Sequence, residues 1–255
     1  MAASEPRGSG PKLIALLKQI AEVGHAVALK DIAEKADLPP STAHRLMTIL
    51  VQTGVVERGA HQTYRPGREL YRIASLLRSQ FDLADVARPY LERLWSDWQE
   101  TIVLCLFNPS TLTATIVDAV ITPHPLRYAV DIGLELSLPW GSLGCSMLAC
   151  LETAQVDEVL GRATVGPLSG RPVPSRKELA ADLDRIREQG FADYSDPEHD
   201  VAGVAAPLTG SEGRLVGCIG ITMPVRRFQA HEGAGMGEAV RTATQELSTL
   251  LEMQG

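Results

Sequence analysis

The sequence predicts an α+β protein in which a small N-terminal domain and a larger C-terminal domain are joined by a helix. A length of 255 residues fits two domains. Apolar residues follow helical spacing near the start of the chain and form strand-like runs in its second half. These runs alternate with helices without a regular βαβ order, which indicates a largely antiparallel sheet. We expect a disordered tail at 1–11, the first domain at 12–67, the connecting helix at 68–84 and the second domain at 85–255.

The first domain begins with three short helices separated by helix-breaking residues. Apolar spacing starts a first helix at Leu13, and Gly24 ends it. A second helix runs from Leu29 to about Ala36. Pro39-Pro40 separates it from a third helix, Ser41 to Gln52.

A β-hairpin follows the third helix, because residues 55–58 and 63–65 alternate in a way that no helix explains. Three helices followed by a small hairpin is the order of a winged helix-turn-helix. Residues 1–78 hold 11 Lys and Arg against 7 Asp and Glu, a net +4, whereas the remainder carries a net −11. This asymmetry is typical of a chain with one nucleic-acid-binding module, and chance clustering of charge is the alternative.

The outward face of the third helix has the composition of a DNA-recognition helix. Hydroxyl, amide and basic side chains remain outside when the apolar stripe turns inward, and these groups bind phosphates and base edges. The outward residues are Ser41, Thr42, His44, Arg45, Thr48 and Gln52. On the hairpin, Arg58, His61, Gln62 and Arg65 can reach the flanking DNA. We therefore expect a double-stranded DNA operator as the partner. The alternative is a solvated face on an ordinary helical bundle.

The connecting helix is amphipathic and carries an apolar stripe from Leu70 to Phe81. One winged helix makes too few contacts for tight specific binding, whereas a symmetric pair binds two palindromic half-sites. The stripe is therefore a candidate dimer seam in a homodimer or homotetramer. It could instead pack on its own domain.

The second domain mixes strands and helices. Strands are expected at Ile102–Phe107, Leu112–Val120, Leu126–Val130, Val201–Pro207 and Leu215–Met223. Helices are expected from about Gly141 to Leu151, from a capping box at Ser175–Glu178 to Gly190, and from about His231 to Met253.

Composition excludes several classes of protein. No apolar run approaches the ~18 residues of a membrane span, and the N-terminus has no signal-peptide core. We expect a cytoplasmic protein with no membrane partner. The four cysteines form no Cys-x-x-Cys pair, so we expect free thiols.

Several segments resemble one known family. Residues 28–33 (ALKDIA) and 38–46 (LPPSTAHRL) look like the DNA-binding half of IclR-family regulators. Residues 133–148, 190–207 and 213–226 are similar to the effector-domain helix and the closing sheet of that family. The order and spacing of these segments cover most of the chain, from about Leu13 to Leu251.

The resemblance implies a GAF-like effector-binding domain, dimers or tetramers, and control of a catabolic operon by a small carboxylate-bearing metabolite. The implied pocket comprises the helix start Ser142-Leu143-Gly144, an acidic loop residue and two positions on the last strand. Independently of the family, the N–H groups of a helix start suit an anion. The residues implied are Leu138, Trp140, Ser142, Leu143, Gly144, Asp193, Gly220 and Thr222, with Asp196 as the alternative acidic residue. Ile221 is excluded because it faces the other side of the strand.

Glycines at two positions of this implied pocket leave two interpretations open. Gly220 stands where the family has a serine, and Gly203 lies near a frequent cysteine. They could enlarge the pocket for an aromatic acid, or they could serve a strand bulge or close packing.

Two rival functions remain on the sequence alone. Gly144–Leu148 almost fits a nucleophile elbow, but Leu148 replaces its second glycine. His231-Glu232 begins a zinc-protease motif, but Gly235 replaces the second histidine. We therefore expect no catalytic residue, metal or cofactor. A DNA-binding protein without a ligand is the other alternative. The effector, the operator sequence and the sign of regulation stay undetermined.

Overall fold

The computed structural model describes residues 9–23, 25–60, 63–80, 83–128, 130–163, 165–167, 170–231 and 235–254. The chain divides into two compact units, Met1–Asp82 and Leu83–Gly255. Within the described ranges, no helix has both the length and the apolar character needed to cross a bilayer.

The first unit is the predicted three-helix domain with a small sheet. Its helices are α1 (Ser9–Val23), α2 (Leu29–Lys35), α3 (Pro40–Gln52) and α4 (Arg68–Gln80), and its strands are β1 (Val27–Ala28), β2 (Val56–Arg58) and β3 (Thr63–Pro66). The strand order is β1-β3-β2, with antiparallel pairing. The core contains Leu16, Ile20, Ile32, Leu46 and Met47, none more than 1% exposed. This packing confirms the winged helix-turn-helix.

Two details of this unit differ from the sequence expectation. Helix α1 begins at Ser9 and so includes the last three residues of the expected tail, while residues 1–8 lie outside the described ranges. Strand β1 was not predicted, because two residues are too few to show alternation. Gly24, His61, Gln62 and Phe81 also lie outside the described residues.

The second unit is built on one six-stranded sheet. Its strands are β4 (Thr101–Asn108), β5 (Thr113–Val120), β6 (Glu135–Leu136), β7 (Ala192–Asp196), β8 (Val201–Thr209) and β9 (Leu215–Met223). Its helices are α5 (Leu83–Trp98), α6 (Gly141–Leu148), α7 (Thr153–Arg162), α8 (Arg176–Gln189), α9 (Val225–Ala230) and α10 (Met236–Gln254). The order β6-β5-β4-β9-β8-β7 is antiparallel at every step, which confirms the predicted α+β class.

The sheet separates two hydrophobic cores. One core packs Val103, Cys105 and Cys218 against helices α6, α7 and α8. The other packs Ile102 and Ile221 against α5 and α10. Successive strand residues thus face opposite layers, as the pleat requires. The α6 side of the sheet carries the site described below.

Several elements of this unit were mispredicted. Residues 126–128 and 130 form no strand, and β6 at residues 135–136 pairs with β5 instead. Helix α7 was missed, although Glu152 and Gln155 form a capping box at its start. The final helix starts at Met236 rather than His231, which caps the short helix α9. The capping box of α8 is confirmed, since the Ser175 N–H donates to Glu178 at 2.7 Å and Gly190 ends the helix with φ of 79°.

Candidate functional site

Helix α3 presents a polar surface opposite its buried stripe. Pro40 occupies the first turn, where its missing N–H costs nothing, and Ala43, Leu46, Met47 and Leu50 are buried. The predicted contact residues lie on the other side: Ser41, His44, Arg45, Thr48 and Gln52 are exposed and Thr42 is half-buried. The Thr48 hydroxyl donates to the His44 carbonyl at 2.9 Å, so it is available to DNA chiefly as an acceptor.

The two arginines of the hairpin have different surroundings. Arg65 lies opposite Glu57 on β2 and donates to its carboxylate at 2.9 and 3.1 Å. Arg58 lies opposite Tyr64 and is exposed at the end of its strand. The charge of Arg65 is therefore partly neutralised within the hairpin.

A cavity of about 500 Å³ lies on the α6 side of the six-stranded sheet. Its floor comprises sheet residues, among them Val103, Ile116, Ala202 and Thr222. Its walls comprise three aromatic residues, Tyr128, Trp140 and Tyr194, together with residues 165–167. This volume fits a small organic molecule.

The N-terminus of α6 opens on this cavity. Gly141, Ser142 and Leu143, the first residues of the helix, all line it, and no side chain caps the helix. The first N–H groups of a helix have no partner within it and carry the positive end of the helix dipole. Thr222 lines the cavity from β9, paired in register with Gly203 of β8. A Cβ atom at Gly203 would come within 3.3 Å of the Ser142 Oγ, which places Ser142 over this strand pair.

Charged side chains do not face this cavity among its described lining residues. Glu135 is the only lysine, arginine, aspartate or glutamate among them. It pairs with Thr115, whereas Ala114 and Ile116, on either side of Thr115, belong to the core on the α6 side. The Glu135 carboxylate is therefore directed to the opposite side of the sheet edge.

Four residues that the sequence predicts for the pocket line the cavity: Trp140, Ser142, Leu143 and Thr222. Four do not: Leu138, Gly144, Asp193 and Gly220. Leu138 is completely buried, and its carbonyl oxygen would lie 2.5 Å from a Cβ atom at Gly144. This contact is close packing beneath the cavity.

The two strand glycines do not enlarge the cavity. A Cβ atom at Gly220 would lie 2.5 Å from Leu143 Cδ2, and one at Gly203 would lie 2.3 Å from the Ile221 carbonyl oxygen. Both glycines thus allow close approach of neighbouring atoms. The structure favours the packing interpretation over the roomier pocket.

Neither acidic candidate lines the cavity. Asp193 is exposed and accepts hydrogen bonds from Arg185 and Gln189. Asp196 is 4% exposed and lies behind Tyr194, whose hydroxyl donates to it at 3.4 Å. Burial raises the pKa of Asp196, but the hydrogen bond from His199 and the charge of Arg171 outweigh it and bring the pKa below its ordinary value.

Sequence reasoning missed Tyr128, Tyr194 and residues 165–167. The sequence predicts residues 126–130 only as a strand, whereas the edge strand β7 and residues 165–167 show no alternation long enough to be recognised. The signal available for the two tyrosines was a charged residue directly before each, Arg127 and Asp193, whereas residues 165–167 offered no such signal.

Cys145 is unsuited to act as a nucleophile. Burial raises the pKa of the Cys145 thiol to about 12, so the reactive thiolate is absent at neutral pH. The residue that the nucleophile-elbow pattern would use is Ser146, which is completely buried and whose hydroxyl donates to the Leu143 carbonyl at 2.9 Å.

Both units match one family. The IclR helix-turn-helix domain matches residues 12–60, and the C-terminal domain of the bacterial transcriptional regulator IclR matches residues 76–249. The transcriptional repressor IclR of Escherichia coli is 28% identical over 236 residues, covering 91% of this chain and 86% of that protein. The regulator BhcR of Paracoccus denitrificans is 26% identical over 228 residues, covering 89% and 81%.

Solved structures share the fold. An IclR-type regulator from Silicibacter superposes with a TM-score of 0.82 at 22% identity, covering 96% of each chain. An IclR homologue from Microbacterium hydrocarbonoxydans, solved in complex with 4-hydroxybenzoate, gives a TM-score of 0.76 at 24% identity, covering 96% of this chain and 99% of that one. The relatives named above are regulators, not enzymes. With a winged helix-turn-helix in one unit and an IclR-type C-terminal domain in the other, this chain belongs to the IclR family of bacterial transcriptional regulators.

Proposed function

We propose that this regulator binds operator DNA through α3 and that an aromatic carboxylic acid in the α6 cavity controls its affinity for DNA. The observation that carries the proposal is the N-terminus of α6, which opens on a cavity with aromatic walls and no facing charged side chain among the described residues.

The carboxylate end of the ligand is assigned to the start of α6. Free N–H groups and the helix dipole bind an anion without an arginine that must be desolvated. The hydroxyls of Ser142 and Thr222 can each donate a further hydrogen bond from opposite sides.

The aromatic body of the ligand is assigned to the space between Trp140, Tyr128 and Tyr194. Aromatic rings favour edge-to-face or offset contact with one another, beyond the burial of apolar area. The relative from Microbacterium hydrocarbonoxydans, which was solved with an aromatic hydroxy acid bound, supports this class of ligand.

For DNA, we propose that α3 enters the major groove and that Arg58 contacts the flanking backbone. The contact residues proposed on α3 are Ser41, Thr42, His44, Arg45, Thr48 and Gln52. Arg65 is proposed as a weaker contact, because its ion pair with Glu57 must be loosened before it can bind a phosphate.

We further propose that the protein acts in the cytoplasm as a homodimer or homotetramer on a palindromic operator. Residues 71–76 of α4 are all exposed within one chain, and Ile73 at 39% and Leu76 at 47% lie three positions apart on one side of the helix. A second α4 would cover such a stripe. On this proposal residues 12–67 bind DNA, 68–84 connect and 85–255 bind the effector.

The experiment is a comparison of acids with neutral analogues on the full-length protein. Calorimetry is run with benzoate, 4-hydroxybenzoate and benzamide. Gel shifts are run with and without each compound on DNA of the promoter next to the gene for this regulator. We expect an acid to bind about tenfold or more tightly than benzamide and to change DNA affinity. Equal binding of benzamide would refute the anion site. DNA affinity unchanged by a bound acid would favour a ligand-independent DNA-binding protein.

A further inference from the structure

Two segments cover the cavity, and they are far apart in sequence. Residues 121–134 contribute Tyr128, Val130 and Leu134 to its wall. Residues 165–172 contribute Val165, Gly166 and Pro167. The described ends of the second segment, residues 165–167 and 170–172, are joined to each other, because Val165 pairs with Pro172 and the Gly166 N–H donates to the Arg171 carbonyl at 2.8 Å.

Both segments are tied to the same turn, residues 196–200, which connects β7 with β8. The Tyr128 hydroxyl donates to the backbone carbonyls of His199, at 3.3 Å, and Asp200. From the other segment, the Arg171 guanidinium lies 2.8 Å from the Glu198 carboxylate and 3.8 Å from that of Asp196.

Asp196 organises this turn from inside. Its carboxylate accepts from the Glu198 N–H at 3.1 Å, lies 3.0 Å from His199 Nδ1 and accepts from the Tyr194 hydroxyl at 3.4 Å. A buried carboxylate with this many partners fixes the groups around it, because losing any one leaves a costly unmet hydrogen bond. At the other end of the turn, the Asp200 carboxylate accepts from the Val225 N–H at 3.0 Å.

We propose that the turn at residues 196–200 is a common latch that positions Tyr128, Tyr194 and both covering segments over the cavity. Asp196 is then a positioning residue that acts on a ligand through Tyr194. Entry and exit of a ligand require the contacts of Arg171 or Tyr128 with this turn to open. This consequence for a ligand rests on the proposed function, whereas the latch itself is a property of the ligand-free protein.

The first segment also has anchors that do not involve the latch, among them the hydrogen bonds of the Trp95 Nε1–H to the Ile121 carbonyl at 3.0 Å and of the Gly133 N–H to the Ile116 carbonyl at 2.8 Å. Arg227 donates to the Leu126 carbonyl at 2.9 Å and is paired with the buried Glu100. Loss of the latch should therefore loosen the part of this segment around Tyr128 rather than detach the whole segment.

The test is amide hydrogen exchange, followed by mass spectrometry, on the ligand-free full-length protein. Arg171→Gln removes one tie and Tyr128→Phe removes the other. Arg176→Gln is the matched control, because it breaks an ion pair with Asp157, at 3.2 Å, that is also on the surface and away from the turn.

If the turn holds both segments, a substitution in one segment should also speed amide exchange in the other. Arg171→Gln should speed exchange about fivefold in peptides covering 165–172 and also, by at least twofold, in peptides covering 126–134. Tyr128→Phe should give the reciprocal pattern. The control should change neither segment, and peptides from α10 should exchange at the wild-type rate in all three variants.

The proposed latch would be refuted if the exchange rate rose only in the segment that carries the substitution. It would also be refuted if both segments exchanged at the wild-type rate. Neither result bears on whether an acid binds in the cavity, which the benzamide comparison decides separately. Conversely, failure of any acid to bind would refute the proposed effector site and leave the exchange pattern as evidence on the latch.

Discussion

Replacing Thr222 by valine tests the anion site at a single atom. Valine has the shape of threonine and keeps its strand preference, so the change removes the hydroxyl donor with little effect on the packing of β9. A hydrogen bond to a charged group contributes roughly 1.5–3 kcal/mol, and each 1.4 kcal/mol is a factor of about ten. We therefore expect the affinity for the acid that binds best among benzoate and 4-hydroxybenzoate to fall about tenfold to a hundredfold.

The assay is calorimetry with that acid, accompanied by gel shifts without ligand. Thr222→Ser is the matched control, because it keeps the hydroxyl and loses only a methyl group; its affinity should stay within about threefold of wild type. DNA binding by the ligand-free valine variant should be unchanged, since α3 lies in the other unit. Equal acid affinity in wild type and the valine variant would refute the assignment of Thr222 as a donor.

Four further outcomes are expected. Arg45→Ala should cost ~1–3 kcal/mol of operator affinity and relax the preference at one base position, measured by gel-shift titration against operator variants; wild-type affinity would remove Arg45 from the contacts. Gly220→Ala should lower the melting temperature by several degrees, because its Cβ would lie 2.5 Å from Leu143 Cδ2 and 2.9 Å from the Val204 carbonyl oxygen; an unchanged melting temperature would contradict the close packing assigned to this glycine. Asp196→Asn should lower the free energy of unfolding at neutral pH, measured by urea titration. The difference from wild type should shrink below about pH 4, because a carboxylate with a lowered pKa loses its stabilising contribution as the pH falls toward that pKa. A difference that stays constant with pH would contradict the role of the charge. Ile73→Glu should convert the oligomer to a smaller species in light scattering, and a wild-type mass would exclude the α4 seam.

Periodicity predicted the parts of the fold that depend on one element at a time. The buried stripe of α3 appeared from its helical spacing, because the side that packs is set by residues three and four apart. Strands β8 and β9 were recognisable because both run through the middle of the sheet and are apolar on both faces.

Features that depend on two distant elements were not predictable in the same way. Whether Gly220 leaves a space or allows a contact depends on where Leu143 lies, 77 positions earlier in the chain. Likewise, Tyr128 and Tyr194 reach one cavity only because of the strand order and the connections around it.

The ambiguity between Asp193 and Asp196 is resolved by β7, a strand that the sequence did not predict. Asp193 and Asp196 lie on opposite faces of β7, and Asp196 shares its face with the apolar Ala192. Strand alternation therefore puts Asp196 inside and Asp193 outside.

The chemistry of the cavity wall determines what kind of signal such a site can report. Burial raises the pKa of Tyr128 and of Tyr194, so both phenols stay protonated throughout the physiological range. The hydroxyls of Ser142 and Thr222 do not titrate there either. A carboxylic acid with an ordinary pKa is fully ionised above about pH 6. These four hydroxyl groups would therefore contribute no change of charge near neutral pH to the proposed binding of an acid.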